Sequence, residues 1–137
     1  MRIVGIDLGR RTVGIAISDE KQIIASPVNT YRIRENDLQG ALDCVKMTIE
    51  EYGAQKIVLG LPKNMNGTIG PQAEYCLEFK KMLEEATNLE VVMIDERMTS
   101  IMANNIMLDA DLSRNKRKQN VDKLAASIIL QSYLDKK

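Results

Sequence analysis

The sequence predicts an α/β domain in three layers, a five-stranded mixed sheet flanked by helices. Three observations carry that reading. Five short segments are apolar runs or alternate apolar with polar residues, as strands do; other segments repeat apolar residues at three- and four-residue spacing, as helices do. After three leading strands, helical and strand segments alternate, which pairs the later strands in parallel through crossovers. Size agrees, since 137 residues with 45% apolar and 28% charged content suit one globular domain over 1–137.

Residues 2–8 (RIVGIDL) read as a buried strand, and 13–18 and 22–31 as β-rich runs separated by turn residues, together an antiparallel meander. From Asn36, the expected N-cap, Leu38, Ala41, Leu42, Val45, Ile49 and Tyr52 mark an amphipathic helix that ends at Gly53. The strand KIVLGL at 56–61 follows, then the long loop PKNMNGTIGPQ, a helix over about 71–86 and the strand EVVMID at 90–95. Thr99 is placed to cap a helix reaching about Asp109, and a last apolar helix runs from Val121 to Leu134 after the basic loop SRNKRKQN. Ligands of such sheets collect at the carboxyl ends of parallel strands, so the polar residues that end strands are the ones to examine.

Composition removes several kinds of chemistry. The chain has no His, which excludes Ser-His-Asp triads, Cys-His dyads and two-His zinc sites. Nineteen Lys and Arg balance nineteen Asp and Glu, so a nucleic-acid partner has to be met by a local patch. Cys44 and Cys76 stand 32 residues apart in helical segments, as buried thiols of a reducing compartment do. No stretch of about 18 apolar residues predicts a membrane span, and the expected location is the cytoplasm. Without Trp and with one Phe, the chain offers little for stacking bases.

Asp7 closes an otherwise apolar strand, where a carboxylate needs a hydrogen bond or a cation; the plainer alternative is that it caps the next turn. Asp95 and Glu96 close the strand EVVMID, and neighbours in a strand face opposite sides, so one is functional and the other structural. Asp122 falls in the first turn of the last helix, where the macrodipole favours an acid in any case, but its neighbours Val121, Leu124, Ala125, Ala126, Ile128 and Ile129 bring that turn to the sheet. Three carboxylates converging on one sheet end need a cation, and oxygen ligands select Mg²⁺ or Mn²⁺. Two such ions clamping a phosphodiester would permit hydrolysis without His. Arg10 and Arg11, after Gly9, offer guanidiniums to phosphate. Arg114, Lys116, Arg117, Lys118 and Lys123 against Asp122 give residues 113–123 a charge of +4, a backbone-tracking arm beside the acids.

The segments GIDLGRRTVGIAISD, GLPKNMNGTIGPQ, DERMTS and SRNKRKQNVDKLAASIILQSYLD, in this order over nearly the whole chain, resemble the motifs of the YqgF family. Its members are known as pre-16S rRNA nucleases or Holliday junction resolvases of the ribonuclease H-like superfamily. The chain departs from the pattern at Lys63 and Asn66, where an apolar residue and an Asp are expected. The resemblance implies a ribonuclease H-like fold, with Asp7, Glu96 and Asp122 as catalytic metal ligands for Mg²⁺ or Mn²⁺. It also implies a nuclease for structured nucleic acid, either precursor ribosomal RNA cut at the 5′ end of 16S or branched DNA, in a monomer or weak homodimer. Two other readings are a junction resolvase that must dimerise and a non-catalytic RNA-binding assembly factor. A sugar-kinase-like or actin-like ATPase would need two such domains where this length supplies one.

Overall fold

The computed structural model describes residues 1–62, 66–95 and 114–136, the last segment with side chains from residue 125 onward. Strands β1 (Arg2–Leu8), β2 (Thr12–Ser18) and β3 (Ala25–Arg32) precede helix α1 (Leu38–Tyr52). Then come β4 (Ala54–Leu61), α2 (Pro71–Thr87), β5 (Val91–Asp95) and α3 (Arg114–Asp135). The helix expected between Thr99 and Asp109 lies outside the described residues. One sheet forms in the order β3-β2-β1-β4-β5. The first three strands pair antiparallel, and β1, β4 and β5 pair parallel.

The pleat divides the sheet into two unlike faces. Val4, Ile6 and Leu8 of β1 join Val13, Ile15, Ile57 and Leu59 in a core with Ala41, Leu42 and Val45 of α1 and Cys76, Phe79 and Leu83 of α2. The single Phe is therefore a fully buried core residue. On the other face Ile3, Ala16, Val58 and Ile94 meet Ala126, Ile129, Leu130 and Leu134 of α3. α3 lies very close to β1 there: a methyl group added at Gly5 would stand 2.6 Å from Leu130 Cβ. The isolated glycine in the strand marks this close approach.

Three boundaries differ from expectation. The N-cap of α1 is Asp37, whose side chain accepts from the Gly40 N–H, while Asn36 sits just outside in the left-handed region with φ 58°. Asp and Asn are both good caps, so the one whose backbone leaves the preceding turn correctly takes the role. β3 begins at Ala25 rather than residue 22, because Asp19 accepts from Ile23 N and Ile24 N at 2.7 and 3.0 Å and holds residues 19–24 as a turn. α3 starts at Arg114, so the basic segment expected as a loop is helical from that residue. Arg, Lys and Gln are strong helix formers, and their propensity extends the helix past its last apolar residue.

Candidate active site at the carboxyl end of the central strands

Asp7 stands next to last in β1, on the α3 face of the sheet. That position follows from alternation with Ile3 and Gly5, which meet α3, and from Gly14 opposite, where an added methyl group would lie 3.7 Å from both Asp7 Cβ and Ala126 Cβ. On the other side, the parallel register pairs Ile6 with Leu59, so the next row sets Asp7 beside Gly60. Gly60 pairs in turn with Ile94. The row through Gly14, Asp7 and Gly60 thus places Asp7 between two residues without side chains.

Asp7 is half-buried, and among the described residues its carboxylate has no hydrogen-bond or ion-pair partner. It does not cap the following turn, since the Gly9 N–H donates to the Thr12 carbonyl at 2.8 Å. A half-buried acid with no partner among the described residues, flanked by glycines on both neighbouring strands, fits an oxygen-liganded divalent cation. The described residues contain no group of three or more acids or thiols placed to hold a metal.

The other two acids of the expected set are placed unequally. α3 runs antiparallel to β1: Ala126 lies near the Asp7 row, Leu130 against Gly5, and Gln131 accepts from Ala25 N and donates to Ile23 O at the far end of the sheet. Asp122 is one helical turn before Ala126, about 6 Å nearer the Asp7 end along the axis. Glu96 and Arg97 lie outside the described residues. Asp95, the last residue of β5, follows Val91 and Met93, which pack on the α1/α2 core, whereas Val92 and Ile94 pack toward α3. Alternation therefore puts Asp95 on the face opposite Asp7.

Arg10 is exposed and its Nε donates to Gln72 Oε1 at 3.3 Å, while Gln72 Nε2 donates to the Leu8 carbonyl at 3.2 Å. Gln72 thus ties the start of α2 to the end of β1 and holds the guanidinium above that end. Nothing in the sequence singles out Gln72, because its role depends on two distant segments meeting. Gly14 did carry a signal, a glycine inside a strand. Tyr75, one turn further along α2, buries its hydroxyl without a partner among the described residues; burial raises its pKa, so it stays neutral and adds no charge to the site. Arg11 pairs with Glu35 at 3.6 Å, both well exposed. In the loop before α2, Asn66 Oδ1 accepts from Thr68 N and Oγ1 at 3.1 and 2.7 Å, the acceptor work an Asp would also do. Lys63 lies outside the described residues. Arg114, Lys116, Arg117 and Lys118 fall in the first turns of α3, before Asp122 along the helix.

Comparison with known proteins agrees with this architecture. The family model described as RuvX, Holliday junction resolvase, matches residues 1–136. A protein of Bacillus cereus (strain AH187), named as a candidate pre-16S rRNA nuclease, is 49% identical over 137 residues, 100% of both chains. Among solved structures, the fowlpox virus Holliday junction resolvase aligns with a TM-score of 0.57 at 15% identity, covering 100% of each chain. Thermus thermophilus RuvC in complex with Holliday junction substrate aligns with a TM-score of 0.56 at 10% identity, over 98% of this chain and 96% of that one. These two likenesses show the fold, which is ribonuclease H-like.

Proposed function

Because the chain belongs to the RuvX Holliday junction resolvase family, we propose that it is a divalent-metal-dependent nuclease hydrolysing phosphodiester bonds of structured nucleic acid. Its task is the maturation of the 5′ end of precursor 16S ribosomal RNA in the cytoplasm, and the name of its full-length relative, a pre-16S rRNA nuclease, supports the RNA substrate. No helix among the described residues is long and apolar enough to cross a membrane. The observation that carries the reading is Asp7, a half-buried carboxylate without a partner among the described residues, between Gly14 and Gly60 on the face that α3 covers.

Asp7, Glu96 and Asp122 are the residues to hold Mg²⁺ or Mn²⁺. Alternation supports Glu96 over Asp95, since a strand continued one residue past Asp95 would turn the next side chain to the face of Asp7. When bound, such ions polarise the scissile phosphate and lower the pKa of a water. The carboxylates orient that water, and with no His in the chain any proton it loses passes to a carboxylate or to solvent. Arg10, held by Gln72, and Arg11 contact phosphate, and the basic start of α3 with Arg114, Lys116, Arg117 and Lys118 tracks the backbone. The positive end of the helix dipole meets four cations there, a repulsion that a polyanion relieves.

The test is incubation of the purified chain with precursor 16S RNA and with a four-way DNA junction, in Mg²⁺, Mn²⁺ or chelator. Cleavage of the RNA that stops in chelator is the expected result. Paired nicks in the junction, with the RNA left intact, would replace the reading with that of a resolvase. Binding of RNA without cleavage in any metal would reduce the protein to an assembly factor.

A further inference from the structure

The β1–β2 turn and the β3–α1 connection form one shoulder beside the Asp7 end of the sheet. Three backbone hydrogen bonds hold it: Ile33 N to Arg11 O at 2.9 Å, Asn36 N to Arg10 O at 2.9 Å, and Asp37 N to Arg34 O at 3.0 Å. Four arginines project from it, Arg10, Arg11, Arg32 and Arg34, and all are exposed. The acids of the same shoulder do not neutralise them. Glu35 is paired with Arg11, and Asp37 accepts from the Gly40 N–H as a helix cap. Among the described residues Arg32 and Arg34 have no acid partner, in a chain whose formal net charge is zero.

Position adds to charge. Arg32 pairs with Thr12, and Tyr31 beside it pairs with Val13 on the α1/α2 side, so alternation turns Arg32 to the face that holds Asp7. Two strand spacings, about 10 Å, separate the β3 and β1 backbones. Guanidinium stays charged at any physiological pH and its fork matches phosphate oxygens. We propose that Arg32 and Arg34, with Arg10, bind the phosphodiester backbone of the substrate on the β3 side of Asp7. The nucleic acid then crosses the β1–β2 shoulder as well as the start of α3. This rests on the nuclease reading above and extends it to a stretch of substrate away from the cut.

The experiment compares two double variants of equal charge change, Arg32→Gln with Arg34→Gln, and Lys46→Gln with Lys81→Gln. The two lysines are exposed on α1 and α2, behind the other face of the sheet. Binding to precursor 16S RNA and to a four-way DNA junction is measured against salt, with Ca²⁺ in place of Mg²⁺ or Mn²⁺, and melting checks the fold. Each phosphate contact adds about 0.7–0.9 to the salt slope, so the arginine pair should lower it by roughly 1.5 and weaken binding on the order of tenfold at low salt. The lysine pair should change the slope by less than about 0.5. An unaltered slope in the arginine variant, or equal losses in both variants, overturns the shoulder while the wild-type chain still binds and cuts. If the wild-type chain binds no nucleic acid, the shoulder and the nuclease reading fall together.

Discussion

β1 sends Val4, Ile6 and Leu8 to one side of the sheet and Ile3, Gly5 and Asp7 to the other. The first series is uniformly large and apolar, and it packs against two helices. The second shrinks from a large residue to none and then becomes a charge, under one helix. Both belong to the same seven residues, so the backbone is common and only the pleat separates them. The α1/α2 face makes the fold stable. The α3 face trades packing for a close helix and an open carboxylate, and stability and activity should therefore respond to different substitutions.

Breaking the packed face should have the largest effect on stability. Phe79→Ala removes the fully buried ring of α2 and should lower unfolding free energy by about 3–5 kcal/mol in denaturant melts. On the other face the two glycines of the α3 contact should separate. Gly5→Ala forces a methyl group against Leu130 and should cost roughly 1–3 kcal/mol, displacing α3 and with it Asp122. Gly14→Ala meets only ordinary contacts at 3.7 Å and should melt within about 0.5 kcal/mol of the wild type, yet it narrows the space beside Asp7 and should slow cleavage. If Gly14→Ala cuts as fast as wild type, the missing side chain beside Asp7 has no part in the reaction.

A smaller effect on the fold and a sharper one on activity is expected at the end of β5. Glu96→Gln should lose metal-dependent cleavage, whereas Asp95→Asn, on the α1/α2 side, should keep most of it. Cleavage assays showing the reverse order would make Asp95 the ligand and place the strand parity in error.

Much of this was legible in the sequence because periodicity reports burial. β1, β4, α1 and α2 have a covered face, and their apolar residues say so. The basic start of α3 has no apolar residue to report, so periodicity begins that helix at Val121, seven residues late. Ile23 and Ile24 misled in the opposite way: apolar and β-branched, they look like strand but lie 60% and 61% exposed in a turn made by the Asp19 side chain. In the candidate site, Asp7 was legible as a charge ending an apolar run. Gln72, Arg32 and Arg34 were not, since their meaning comes from segments the fold brings together.

The central claim is that Asp7 serves chemistry and not the fold, and the direct measurement is cleavage of precursor 16S RNA in Mg²⁺ or Mn²⁺ by Asp7→Asn, alongside its melting temperature. Asn keeps the size and removes the charge. Since the carboxylate has no protein partner among the described residues, Tm should fall by no more than about 2 °C, while cleavage should drop on the order of a hundredfold or more. Wild-type cleavage by a folded Asp7→Asn variant would contradict the account.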